Sequence, residues 1–561
     1  MYFLSIVKCV LVSALLATVT CKDDVVYNVI AYPGPNYKVA VNVDGKTYPL
    51  SESKDANILF TGKAPQGNYH YVILDKQYSE VVREAFARPQ VNTQTPNQFF
   101  NISWTKKDPV QLPTLLQPLS PVNRIKTKLH PTGEIPTIHI TGNQAQLDAL
   151  SRNRTSDDVL DVQFTYIESD KVQQFKKASF SLEGRSSRWV DKMSYELDLP
   201  DGGNGLYGLH RMKLRAMRTD PSYIRERLIY DMSDSLGIPV SGAHYVRLIV
   251  NDRPIGLFLM IEAFKGDWLD VEFNNGKPMK NGALFKAAGF VTDLKPLANL
   301  SDYQKFYTVA ISPASGNADY GKLEKLTTFF ANPPTGDHAE LLWNKVIGIE
   351  NFIRSMVVEI AGGFSDGFIA TVDNYFLYDD LKHHKFIYVP ADFDLTLGNT
   401  LFNISKQWSG NYQDYPGFSV RSPTVNMMKV PILKARFEYI LNQTVTQMVD
   451  LPHIQARIKA LVDMLSEDVA WDTALPKVTS LLQVGKNFTG LPTGLSGVDM
   501  GSLTVPVDNA TVRDGTNNSR FTMPFHTAVM GPTGHISLTG VYEWFMHLVP
   551  STARFLATKS S

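Results

Sequence analysis

Between residues 180 and 262 the residue pattern changes period in an order that few folds accommodate: hairpin, strand, helix, hairpin. Residues 180–184 read as a strand entering the turn Gly184-Arg185-Ser186-Ser187-Arg188. Residues 192–199 return from it. Met193, Tyr195, Leu197 and Leu199 share one face and Lys192, Ser194, Glu196 and Asp198 the other, the period-2 signature of a half-buried strand. A third strand over 211–217 carries Arg211, Lys213 and Arg215 on one face. Asp220 as N-cap, Pro221 in the first turn and Gly237 as the stop bracket a helix with the apolar stripe Ile224, Leu228, Met232 and Leu236. Residues 244–250 and 255–262 form a second hairpin around Asn251-Asp252-Arg253-Pro254.

The second half supplies acids. A helix over 344–360 runs into Asp366-Gly367. Asn374 opens a strand over 374–378, and a strand over 385–389 ends in Pro390-Ala391-Asp392-Phe393-Asp394. Phosphoryl transfer needs a carboxylate to orient the incoming hydroxyl and hard oxygen ligands for a divalent cation. Asp366 suits the first role, Asn374 and Asp392 the second. A turn of small residues bearing Arg185 and Arg188 can cover phosphates through backbone amides and guanidinium groups. A strand lysine such as Lys213, paired with a helix carboxylate, can hold them. Each residue also has an ordinary reading, as a solvated basic face or a turn carboxylate.

The flanks set the organisation. Residues 1–21 read as a signal peptide: Lys8, an apolar run from Cys9 to Val19, then small residues before Lys22-Asp23-Asp24. The chain's two cysteines, Cys9 and Cys21, fall in this stretch, so no disulfide framework remains beyond it and stability must come from ordinary cores. Residues 22–108 are patterned as an all-β, sandwich-like domain, with Asp44-Gly45 as a hairpin turn. Prolines 109, 113, 118 and 121 mark a connection into a long α+β region over 109–478. Residues 479–561, rich in Gly, Thr and Pro, read as a β or irregular tail.

Sequons at Asn101, Asn153, Asn299, Asn403, Asn442, Asn487, Asn509 and Asn517 fit an exported glycoprotein. The polar end 552–561 carries no recognisable GPI signal, which favours secretion or non-covalent surface attachment. Lys+Arg and Asp+Glu balance at 55 each, which gives no electrostatic case for nucleic acid. No segment beyond the leader is long and apolar enough for a transmembrane helix. The nucleophile-elbow, zinc-protease and Walker signatures are missing.

Together, Gly184-Arg185-Ser186-Ser187-Arg188 with Lys192-Met193-Ser194-Tyr195, Asp220-Pro221-Ser222-Tyr223-Ile224-Arg225, Gly256-Leu257-Phe258 through Glu262, Asp366-Gly367 with Asn374-Tyr375, and Pro390-Ala391-Asp392-Phe393 resemble the CotH family of spore-coat and surface proteins. The resemblance covers about residues 125–475. It implies an α+β fold with a divergent protein-kinase-like core that transfers phosphate from ATP, with Mg or Mn, to Ser/Thr of spore-coat or wall proteins. By position it makes Asp366 the catalytic-loop acid, Asp392 a metal-binding acid, Asn374 the second metal ligand and Lys213 the phosphate-contacting lysine. It also places Arg185, Arg188, Lys192 and Glu262 with the nucleotide, and leaves Glu226 a weaker candidate as the lysine's partner. Asp394 stands where a conventional Asp-Phe-Gly has glycine; it adds a metal ligand or marks a site that no longer cycles. Some mould members of the family are invasins that bind host-cell receptors, so an adhesin on an inactive kinase-like scaffold is the alternative. The Gly/Asn/Asp-rich receptor-binding peptide of those members is not recognisable in this chain.

Overall fold

The computed structural model describes residues 24–184, 188, 190–287, 289–478 and 504–560. The leader, Arg185 and Asn487 lie outside the described residues. The chain divides into two compact units, Met1–Ser103 and Trp104–Ser561.

The first unit is all β among the described residues. One four-stranded sheet contains Asp24–Ile30 and Leu59–Pro65; the other contains Lys38–Val43 and Tyr69–Leu74. Their inner faces share one core of Val25, Tyr27, Val29, Val39, Val41, Tyr69 and Tyr71. Asp44 and Gly45 both take positive φ, 47° and 88°, the geometry of a tight primed hairpin turn.

The second unit is α+β. Seven strands close into a barrel in the order Leu160–Ile167, Val172–Leu182, Tyr195–Asp198, Arg211–Arg215, Arg253–Glu262, Ala243–Val250 and Thr137–Thr141. The last strand closes it through parallel pairing with Ala243–Val250. Met193, Tyr195, Leu197 and Leu199 point into the barrel core, and Met212 and Leu214 alternate with half-buried Arg211, Lys213 and Arg215. Lys192 departs from the period-2 expectation. It precedes the strand, which begins at Tyr195, and is 4 % exposed, with Asp472 of the helix Leu451–Ala474 laid against it.

The helix bracketed by Asp220 and Gly237 begins late, at Arg225, and ends at Ser235. Asp220 accepts from the amides of Ser222 (2.9 Å) and Arg225 (3.0 Å), and Tyr223 takes φ 57°, so the intervening residues form a turn instead of a first helical turn. Gly237, φ 62°, ends the helix as the sequence implies. Ile224, Leu228, Met232 and Leu236 are buried against the helix Ile349–Gly362 and the rest of the larger core.

A four-stranded sheet carries the hairpin Tyr375–Asp380 and Lys385–Pro390. The C-terminal expectation is corrected. Among the described residues 504–560 there is no β-strand; the segment is helical, with helices Asn509–Gly515, Phe525–Met530 and Val541–Ser560. It supplies Trp544, Phe545 and Leu548 to the main core, and Trp544 Nε1 donates to the Ala361 carbonyl at 3.0 Å. Its Gly/Thr/Pro content had masked short helices that are held by tertiary contacts, not by their own periodicity.

Candidate functional site

The hairpin Tyr375–Pro390 sets the geometry of the acids. Tyr375 pairs with Pro390, so Asn374 and Ala391 flank its open end, and the Ala391 amide donates to the Asn374 carbonyl at 2.9 Å. Asp392 follows at once with φ 62°, and Asn374 has φ 55°. Left-handed backbone at non-glycine residues is costly and persists only where surroundings over-determine it. Phe393, fully buried, anchors the turn between Tyr230 (5.0 Å between ring centroids) and Phe364 (5.3 Å). That leaves Asp392 and Asp394, their side chains 43 % and 33 % exposed, turned into the cleft.

Asp366 arrives from the end of the Ile349–Gly362 helix. The Ser365 amide donates to the Leu395 carbonyl at 2.8 Å, and Asn374 Nδ2 donates to the Asp366 carbonyl at 3.2 Å. Three segments of different sequence position are thereby tied together. Asp366 Oδ1 is buried without a hydrogen-bond partner among the described residues. A buried unpaired carboxylate oxygen is expensive unless something else occupies it.

The barrel forms the opposite wall. Lys213 and Arg215 reach the cleft from the strand Arg211–Arg215, with Arg218, Asp220 and Glu226 beyond, and Lys286 and Asp373 at the side. Arg215 is the hub: it is ion-paired to Asp392, lies 3.5 Å from Asp394, and its Nε is 3.4 Å from Glu226. Lys213 is paired with Glu183, not with Glu226.

The charges split the carboxylates. Burial, then the charges of Asp394, Asp392 and Asp373, push the Asp366 pKa well above the usual value. Desolvation by the cleft walls, though the side chain is still a third exposed, and then Asp392 raise Asp394 to about 7. Burial acts to raise Asp392 too, but Arg215, Lys213 and Lys286 outweigh it and hold Asp392 below its usual value. One acid kept ionised beside one that holds its proton is an arrangement suited to acid–base work.

Among the described residues no three His, Cys, Asp or Glu side chains converge as a ready-made metal cage. The donor set nonetheless fits a hard cation held jointly with a ligand: Asp392 and Asp394 offer carboxylates, and Asn374, whose Nδ2 is engaged, keeps its Oδ1 as an acceptor. Magnesium is commonly bound by one or two carboxylates plus substrate phosphates.

Of the residues singled out from the sequence, Lys213, Glu226, Asp366, Asn374, Asp392 and Asp394 line one cleft. Arg188, Lys192 and Glu262 are engaged elsewhere. Arg188 turns back to the Ser156 carbonyl and Asp157, each at 3.0 Å. Lys192 is buried on Asp472 at 2.9 Å. Glu262 is buried against Arg124 and His130, the latter at 2.9 Å. Sequence reasoning missed Arg215 as the hub, along with Glu183, Lys286 and Asp373. Arg215 was visible as the last basic residue of the alternating face, but nothing local tied it to an aspartate 177 residues away. The seven described sequon asparagines are all exposed. Asn299, Asn403 and Asn517 also cap helical turns, which gives those side chains a structural role as well.

Comparison with known proteins converges on one family. The profile described as CotH kinase protein matches residues 180–480. Invasin CotH3 of Rhizopus delemar is 27% identical over 498 residues, covering 85% of this chain and 80% of its own length. Invasin CotH2 of the same mould is 27% identical over 492 residues, covering 85% of this chain and 79% of its own. Inner spore coat protein H of Bacillus subtilis is 21% identical over 312 residues, covering 54% of this chain and 80% of its own. The matched span takes in the barrel wall, the acidic hairpin and more than half of the 561 residues, and the chain belongs to the CotH family.

Proposed function

We propose that the cleft binds a metal–nucleotide and transfers phosphate from ATP to Ser/Thr hydroxyls of spore-coat or wall proteins, on a divergent kinase-like core. The observation that carries this reading is the convergence of Asp366, Asn374, Asp392 and Asp394 opposite Lys213 in one cleft. Asp366, its Oδ1 unpartnered, is placed to orient an incoming hydroxyl, and would accept its proton once a bound cation offsets the charges of Asp392 and Asp394 that otherwise keep Asp366 protonated. Asp392, Asp394 and Asn374 would hold Mg²⁺ or Mn²⁺, which when bound neutralises phosphate charge. Lys213 and Lys286 add fixed positive charge where phosphates would lie. Phosphoryl transfer needs little covalent chemistry from the protein beyond such positioning.

The test is incorporation of labelled phosphate from ATP with Mg²⁺ or Mn²⁺ into Ser/Thr-containing acceptors, including the chain itself. Transfer by the wild type that disappears in Asp366→Asn and Asp392→Asn supports the reading. Wild-type protein that transfers nothing with either ion sinks it.

A second reading has its own support: relatives carry the name invasin. On it the chain is a secreted, glycosylated surface adhesin, with a host-cell receptor as partner. Cell binding that survives both substitutions would favour this role. No helix among the described residues is long and apolar enough to cross a membrane.

A further inference from the structure

We propose that Arg215 competes with the divalent cation for Asp392 and Asp394, and withdraws onto Glu226 when the cation binds. This rests on the metal–nucleotide reading of the same cleft.

Three carboxylates surround one guanidinium. Nη2 of Arg215 is ion-paired to Asp392 and lies 3.5 Å from Asp394, while Nε is 3.4 Å from Glu226. The first two are the acids that offer themselves to a cation, so Arg215 stands where a cation would stand. An arginine keeps its charge at any relevant pH, so it can leave only by moving.

The second seat is built and underused. Glu226 is 5 % exposed, sits in the first turn of the helix Arg225–Ser235 and lines the cleft. Its Oε2 meets Arg215 only at the long distance of 3.4 Å, and its Oε1 is buried with no partner. A guanidinium fork can satisfy both oxygens of one carboxylate. Lys213 does not fill that seat, being held by Glu183. The exchange therefore trades one set of ion pairs for another and leaves no buried charge alone, which keeps its cost small. Arg215 is a positioning residue in this scheme, setting how readily the two aspartates accept a cation.

The test is Mn²⁺ affinity of the full chain, read from free Mn²⁺ by electron paramagnetic resonance, for wild type, Arg215→Met, Glu226→Gln and the double variant. Arg215→Met is expected to bind Mn²⁺ on the order of tenfold more tightly, the size of one charge-assisted hydrogen bond removed from the competition. Glu226→Gln, which removes the second seat, is expected to bind more weakly. In the Arg215→Met background Glu226→Gln is expected to change affinity by less than about twofold, because no guanidinium remains to be received. Unchanged or weaker binding in Arg215→Met, or simple additivity in the double variant, overturns the competition while leaving the metal site intact. Should Arg215→Met fail to fold, near-isosteric Glu226→Gln decides alone: unchanged affinity overturns the proposal. Wild type and Arg215→Met that both ignore Mn²⁺, with and without ATP, remove the metal–nucleotide reading and this proposal with it.

Discussion

Asn374 donates its side-chain amide to the main-chain carbonyl of Asp366, 3.2 Å away, and so pins the loop after the Ile349–Gly362 helix to the mouth of the acidic hairpin. The contact fixes where the Asp366 carboxylate stands relative to Asp392 and Asp394. It also keeps that carboxylate in a place it would not choose for stability, crowded by like charges and with Oδ1 unpartnered.

Function and stability should therefore part company at Asp366. Asp366→Asn keeps the shape and removes a carboxyl whose ionisation its crowded setting opposes. We expect phosphate transfer to fall by roughly 10²–10⁴-fold, the usual range for losing a general base, while the melting temperature stays level or rises. Parallel transfer assays and thermal unfolding check it. A variant that is active, or one that is inactive only because it is unfolded, contradicts the assignment.

Arg225 should matter to folding more than to chemistry. It is fully buried, bonds Asp220 and Ser222 on the cleft loop, and reaches the Thr539 carbonyl in the C-terminal segment. Arg225→Ala strands Asp220 and the Thr539 carbonyl, so a loss of about 3–5 kcal/mol is expected from denaturant unfolding. A loss below about 1 kcal/mol would mean that water replaces the guanidinium easily.

The C-terminal helix should prove integral to the second unit. Trp544 is fully buried in the main core and bonded to Ala361. Trp544→Ala should cost about 3–5 kcal/mol, again by denaturant unfolding. A near-neutral result would show that the segment is dispensable.

The Arg124 cluster makes stability depend on pH. Burial raises Glu272 to about 7, offset only in part by Arg124, whereas Arg124 and His130 overcome burial and hold Glu262 at about 2. A raised carboxylate contributes stability below its unfolded value near 4.5, and that contribution is lost as pH rises through about 7. Glu262 works in the opposite sense: its contribution is present above 4.5 and is lost as pH falls toward 2. Glu272→Gln should thus match wild type in melting temperature near pH 4.5 and exceed it increasingly between pH 5 and 8. A variant-minus-wild-type difference that does not change with pH contradicts this.

Local pattern carried much of the design. The Asp44-Gly45 turn, the stripe Ile224, Leu228, Met232 and Leu236, and the alternation around Lys213 were all readable, because each depends on neighbours a few residues apart. The cleft acids were readable for the same reason: Asn374 and Asp392–Asp394 bracket one hairpin. What local pattern does not carry is the identity of the covering element. Lys192 reads as solvent-facing until the Leu451–Ala474 helix lays Asp472 against it. Glu262 is placed with the nucleotide by the family resemblance, yet Arg124, just after the proline-rich connection, claims it. Strands 137–141 and 160–167 close the barrel through pairings that no hairpin signal announces.

The most direct test of the central claim is thermal unfolding of wild type and Asp392→Ala with and without ATP and Mn²⁺. A ligand held at 100 times its dissociation constant stabilises the folded state by about 2.7 kcal/mol. The account predicts a melting temperature for wild type that rises with ATP and Mn²⁺ together, more than with either alone, and a rise that is lost in Asp392→Ala. A wild type indifferent to the pair, or an Asp392→Ala variant stabilised just as much, would show that these acids do not grip a metal–nucleotide.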